Sequence, residues 1–366
     1  MALLYLSEEN LKTLLNKVCD WGETFWVNAN ADGKPKLEKA SKQAVEDYQL
    51  PQCRGKDPLK QIIFPPRQRV AEYPNTPQKR FEVQPKKRAI VGLTACDLSA
   101  IRIYDRVYLE DEEFVDPFYK ANRENLFLIS IDCSEVYKTC FCNLVNGKPY
   151  PEKGFDINLT PVEDGYLMDV ATDPAQEMIK GIGASDASDT LKKRRDQIRT
   201  KSQNKLEEQN KAFETSSDYQ KLVTKADGGH KSYEHHASTC VMCGACTHVC
   251  PGCFCFGLMD NKVDGKYERM ISWDSCHYSG FSRMAGMGNP RGRAVQRFQH
   301  RYNHKFYHYP ERYAGAYSCV GCGRCVDNCM GKIDMRATLR DLSVENVSEM
   351  YPSPSPAPDK DPRGDK

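Results

Sequence analysis

Eight cysteines in two copies of one spacing limit what this chain can become. Cys240, Cys243, Cys246 and Cys250 follow C-x2-C-x2-C-x3-C, with Pro251 next, and Cys319, Cys322, Cys325 and Cys329 repeat the pattern. Three thiolates at i, i+3 and i+6 on a tight loop can each reach a different iron of one cube. The fourth, at the start of the following helix, reaches a neighbouring cube. Gly244, Gly321 and Gly323 let the backbone approach closely, so that loop amides face cluster sulfides. The spacing therefore assigns Cys240, Cys243, Cys246 and Cys329 to one [4Fe–4S] cluster, and Cys319, Cys322, Cys325 and Cys250 to a second. A structural zinc site pairs two separate C-x-x-C knuckles, or Cys with His, around one ion. The triple spacing matches that poorly. Met330 stands where the first copy has Pro251; proline is not a ligand, so the cluster is expected to survive.

The remaining composition agrees. Seventeen cysteines in 366 residues is high, the number is odd, and the thiols bunch into C-x-x-C runs. A secreted disulfide framework does not look like this. The N-terminal stretch turns acidic at Glu8-Glu9 and does not read as a signal peptide. Mean hydropathy is −0.66, and no apolar run approaches the roughly 20 residues of a membrane helix. A cytoplasmic location is expected. The net charge of +2 makes the whole chain no strong polyanion binder.

Length suggests more than one domain. Residues 7–19 read as an amphipathic helix, with Leu11, Leu14, Leu15 and Val18 at helical spacing. Residues 28–88 are polar and rich in Pro and Lys, and read as irregular. The apolar runs 88–93 and 126–131 read as buried strands, separated by a helical stretch through Ile101 and Tyr104; 155–170 adds one or two short strands. The expected fold is an α/β domain over 1–180, a charged helical linker or insertion over 181–235, a mostly helical ferredoxin-like dicluster domain over 236–345, and a disordered Pro/Ser tail over 346–366, α+β overall.

Cys96 and Cys133 end the two predicted strands, and Cys140 and Cys142 follow on a short loop. Carboxyl ends of neighbouring parallel strands lie side by side, so these four thiols can hold a third [4Fe–4S] cluster. A zinc site and buried thiols without metal are the alternatives. Cys253, Cys255 and Cys276 lie near the first motif, with close packing or a redox thiol as the default. Cys19 and Cys53 show no partner in the sequence. His235 and His236 read as solvent-facing, and His248 as a hydrogen-bond donor within the cluster loop. The basic, aromatic-rich run Arg291 to Lys305 suits compensation of anionic clusters and docking of a partner subunit or acidic ferredoxin better than nucleic acid.

Further stretches carry a family resemblance: 92–98, Cys140-Phe141-Cys142, Cys253-Phe254-Cys255, Trp273-Asp274-Ser275-Cys276, 284–291 and 319–325. With these the chain resembles the 4Fe–4S dicluster subunits represented by the sulfhydrogenase beta subunit and the corresponding anaerobic sulfite reductase subunit. The resemblance implies a component of a larger redox complex. There a flavin subunit takes electrons from a nicotinamide, and the dicluster subunit exchanges them with a hydrogenase, a sulfite reductase or a similar enzyme. No G-x-G-x-x-G lies between a strand and a helix, so no flavin is expected in this chain. No catalytic residue is expected either, since no nucleophile–base pair or paired carboxylates stand out. A stand-alone iron–sulfur enzyme and a nucleic-acid protein with structural clusters are the alternative functions.

Overall fold

The computed structural model describes residues 2–29, 35–73, 84–111, 113–215 and 217–344. The 346–366 tail lies outside them. Chain contacts separate two compact units. The first comprises Met1–Phe64, Glu82–Gln209 and Val320–Cys322; the second comprises Pro65–Phe81, Asn210–Cys319 and Gly323–Lys366. The strands, in chain order, are β1 (Ala2–Ser7), β2 (Glu23–Asn28), β3 (Lys36–Lys39), β4 (Arg67–Tyr73), β5 (Arg88–Leu93), β6 (Leu126–Ile131), β7 (Ile157–Val162), β8 (Gly165–Val170), β9 (Ser185–Asp186), β10 (Phe256–Val263) and β11 (Lys266–Trp273).

The first unit is an eight-stranded mixed sheet in the order β3-β2-β5-β6-β7-β8-β1-β9. Its centre, β2-β5-β6-β7, is parallel, with Phe25 opposite Ile90, Ile90 opposite Leu128, and Ile129 opposite Ile157. Parallel strands buried on both faces read as continuous apolar runs, which is why β5 and β6 were visible in the sequence. Helix Glu8–Trp21 is capped by Ser7 and buries Leu11, Leu14, Leu15 and Val18, which join Val91, Phe127 and Ile129 in one core. Helix Ala95–Tyr108 buries Leu98, Ile101, Ile103 and Tyr104, and Phe64 stacks on Tyr108. A register shift between Val91 and Leu93 bends the end of β5, next to the loop that carries Cys96.

Two features depart from the sequence reading. The stretch 28–88, expected to be irregular, contains β3 and β4. Both are edge strands, and edge strands carry polar and charged residues that hide their pattern. The charged segment 181–235 is helical in several pieces, and its longest helix, Asp189–Asn210, belongs through Gln209 to the first unit. Arg199 holds it to the sheet: Nε donates to Asp132 Oδ2 at 2.7 Å. Asp132 also accepts from Asn158 Nδ2 at 3.0 Å and Thr160 Oγ1 at 2.6 Å.

The second unit combines helices with a three-stranded antiparallel sheet, β10-β11-β4. Asp264 and Gly265, both at positive φ, close the β10–β11 hairpin. Helices Tyr219–Lys225, Lys231–Ser238, Ala294–Asn303 and Met335–Asp341 supply Tyr233, Phe298, Tyr302 and Leu339 to the core. The Ala294–Asn303 helix runs on through a π-helical turn, His304–His308, into Tyr309–Arg312.

Candidate metal centres

The two cysteine repeats share one backbone device. In the first copy Met242 (φ 52°) and Gly244 (φ 74°) are left-handed; in the second, Gly321 (φ 63°) and Gly323 (φ 72°) stand at the same places. Gly244 starts the one-turn helix Ala245–His248 and Gly323 starts Arg324–Asp327. The third cysteine of each copy thus lies on the short helix. The fourth falls beyond its end, not at the start of a following helix, because each helix stops after one turn.

Within the second unit, Cys240, Cys243, Cys246 and Cys329 line one cavity, together with Cys325, His277 and Arg301. The His277 ring is buried, with Nδ1 3.9 Å from Cys240 Sγ and Nε2 3.6 Å from Cys246 Sγ. Ile333 N–H donates to Cys329 Sγ at 3.3 Å. Arg301 is 6% exposed, and its Nε and Nη2 have no hydrogen-bond partner. Buried guanidinium donors left open are costly unless an anion faces them. A thiolate-held cluster is anionic and carries acceptor sulfides, so it fits.

A second buried cation marks the other set. Lys305 is 1% exposed; its Nζ lies 3.4 Å from Cys250 Sγ and donates to Ser318 O at 2.8 Å. Burial would lower the Lys305 pKa, but the negative charge of Cys250, Cys253 and Cys319 holds it well above the ordinary value. Cys322 belongs to the Val320–Cys322 segment of the first unit. Cys253 is pushed up by its hydrogen bond with Cys250 and by burial, and Cys276 by its hydrogen bond with Cys255 and by burial. These thiols border the sets, and neither lines the cavity of Cys240, Cys243, Cys246 and Cys329.

In the first unit a cavity is lined by Cys53, Cys96, Cys133, Cys140, Cys142 and Cys322, with Arg54 and Lys148 beside them. The sheet builds it from the ends of β5 and β6. Thr94 caps the next helix through Asp97, and its Oγ1 lies 3.1 Å from Cys96 Sγ. Asp132, fixed by its three partners, precedes Cys133. The Cys140–Cys142 loop is pinned where Phe141 N–H donates to Gly321 O at 2.7 Å, and where Gln209 Nε2 donates to Cys140 O at 2.8 Å. The hydrogen-bonded Cys133 thiol pushes Cys53 up to about 12, while Cys140 and Arg54 pull it down. Cys140 is raised by its hydrogen bond with Cys53 and by burial. Cys142 is raised by burial. Such thiols stay neutral until a metal displaces their protons.

Residues 239–333 match the model of a 4Fe–4S dicluster domain. The chain is 34% identical over 252 residues to sulfhydrogenase 2 subunit beta of Pyrococcus furiosus, an alignment that spans 68% of this chain and 72% of that protein. The chain belongs to the sulfhydrogenase beta family of 4Fe–4S dicluster subunits. No solved structure matches it. This dicluster subunit is an iron–sulfur electron-transfer protein carrying 4Fe–4S clusters. None of its helices, among the described residues, is long and apolar enough to cross a membrane.

Several residues of the dicluster subunit's sites were not apparent in the sequence. Cys53 has no motif around it, and reaches Cys133 and Cys140 only through the fold. His277 carries a weak signal, since it directly follows the Trp273-Asp274-Ser275-Cys276 element. Arg301 and Lys305 were part of a basic run whose burial the sequence does not reveal. His235 and His236, expected at the surface, are half-buried. His236 Nε2 lies 2.8 Å from the fully buried Asp341, because their helix packs on Met335–Asp341. His248 Nε2 lies 3.2 Å from Tyr278 Oη and the ring stacks on Trp273.

Proposed function

We propose that this dicluster subunit relays single electrons inside a multi-subunit oxidoreductase complex. The donor side is a flavin/NAD(P)H-linked subunit or a ferredoxin, and the other side is a catalytic subunit such as a hydrogenase or sulfite reductase. Cys240, Cys243, Cys246 and Cys329 hold one [4Fe–4S] cluster. Cys319, Cys322, Cys325 and Cys250 hold the second. Four of the thiols around the first-unit cavity, drawn from Cys53, Cys96, Cys133, Cys140 and Cys142, hold a third. Each cluster, when bound, accepts and releases one electron without breaking a substrate bond.

The observation that carries this reading is Arg301, a buried guanidinium with open donors facing a ring of thiols. The chain's own residues do the rest. Left-handed turns at Gly244 and Gly323 bring backbone amides close to the thiols. The His277 ring and the Ile333 amide lie within reach of Cys240, Cys246 and Cys329 sulfur. Buried apolar side chains such as Phe298 and Ile333 line the same cavity. The name of the relative, a beta subunit, supports assembly with other chains. A cytoplasmic setting fits clusters that oxygen would damage.

The test is anaerobic purification followed by dithionite reduction under EPR. Reversible one-electron signals, and co-purification with flavin and catalytic subunits, are expected. Irreducible clusters would point to a structural role. Substrate turnover by the isolated chain would point to a stand-alone enzyme.

A further inference from the structure

We propose that Arg301 and Lys305 set the reduction potentials of the two repeat-held clusters unequally: Arg301 acts on both, Lys305 on the second alone, and the second cluster therefore takes the electron first. The inference rests on the cluster reading above. It assigns two positioning residues that no sequence motif marks.

Both side chains come from one continuous helical rod, four residues apart and so on one face. Both are almost fully buried. Among the described residues neither forms an ion pair with a carboxylate. Two other buried arginines of this unit are satisfied differently. Arg297 donates to the carbonyls of His277, Arg291 and Gly292, and Arg336 pairs with Asp334. A buried cation without a carboxylate needs some other anion, or it is expelled or neutralised. Here the anions available are the cysteine sets.

The two cations are not equivalent. Arg301 lines the first cavity alongside Cys246 and Cys325, the third cysteine of each repeat. It faces both sets. Lys305 Nζ touches Cys250 Sγ at 3.4 Å and donates to the carbonyl of Ser318, the residue before Cys319. Cys250 and Cys319 belong to the second set. The π-helical turn His304–His308 carries Lys305, and such turns recur where a helix aims a side chain at a functional site. Reducing a cubane adds one electron and breaks no bond. Beside a buried cation the added charge is stabilised by the fixed positive charge close by.

The test is an EPR-monitored redox titration of the full chain, prepared without oxygen, as wild type and as Lys305→Met, Arg301→Met and Arg301→Lys. Lys305→Met should lower one midpoint by about 59 mV or more, a tenfold change in a one-electron equilibrium, and leave the other in place. The signal that moves should be the one reduced first in the wild type. Arg301→Met should lower both midpoints, and Arg301→Lys should restore them. Iron content is measured alongside. Full iron with unmoved midpoints, or equal shifts of both in Lys305→Met, overturns the inference. A wild type without iron overturns the cluster reading instead. If Lys305→Met loses iron, Lys305→Gln must show the same one-sided shift, and its absence there refutes the proposal equally.

Discussion

Gly321 lines the first-unit cavity, and replacing it by alanine separates two costs that are usually confounded. Its backbone is left-handed, at φ 63°, and an added Cβ would lie 2.5 Å from the Cα and N of Cys142 and from the O of Phe141. The left-handed conformation alone costs an alanine roughly 1–2 kcal/mol. Overlap with backbone atoms cannot be relieved by a rotamer change, and overpacking adds roughly 1–3 kcal/mol. Moving the loop to escape it strains the 2.7 Å bond from Phe141 N–H to Gly321 O, worth about 0.5–1.5 kcal/mol. The sum is about 3–6 kcal/mol. Gly315 is the control, with φ 78° and nothing within 4 Å of an added Cβ, so Gly315→Ala should cost only about 1–2 kcal/mol. At roughly 2–4 °C per kcal/mol for a unit of this size, anaerobic melts at one scan rate should fall by roughly 6–24 °C for Gly321→Ala. The control should fall by roughly 2–8 °C. Iron should be lost from Gly321→Ala first. Equal melts and equal iron in the two variants would refute the claim that this loop is locked against Cys142.

Asp132→Asn leaves Arg199 facing an uncharged amide; with Asp169 still 3.7 Å from Arg199, the cost should be about 3 kcal/mol, the low end for a broken buried pair. Hydrogen exchange should accelerate in the Asp189–Asn210 helix before the central strands. Leu206→Ala, at a fully buried position in the same cluster as Cys53, Cys133, Cys140 and Cys142, should cost about 2–5 kcal/mol and loosen iron held in the first unit. The double variant Cys133→Ser/Cys140→Ser leaves three of the five first-unit thiols and should remove about four irons per chain, one cluster's worth, whereas Cys19→Ser should remove none; colorimetric iron assay distinguishes them. Without metal, Cys53 sits at about 12 and Cys140 and Cys142 are also raised, so loading must release protons. The thiolate form is the one stabilised by metal, and that stabilisation is lost as pH falls. Retention of iron against a chelator should therefore decline from about pH 8 to about pH 6; a flat or rising profile would contradict this.

Legibility followed physical range. The central strands could be read because burial on both faces leaves uninterrupted apolar runs, and Cys96 and Cys133 could be placed side by side because parallel strands end together. The repeats could be read because their geometry is local. Cys53 could not, because only the fold carries it from a Pro- and Lys-rich stretch to Cys133. Strands β3 and β4 were hidden by the charged residues that protect sheet edges. The long charged helix concealed its role because it docks through very few residues, chiefly Arg199, Leu206 and Gln209, too sparse to form an apolar stripe. Lys305 and Arg301 looked like surface charge, since burial of a cation becomes visible only with its counter-charge.

Iron and acid-labile sulfide per chain, counted on anaerobically purified protein with the EPR spectrum of the dithionite-reduced sample, address the central claim without intermediaries. The account predicts about 12 irons and 12 sulfides with reversible cubane signals. A colourless chain, or one carrying zinc and no sulfide, would contradict it.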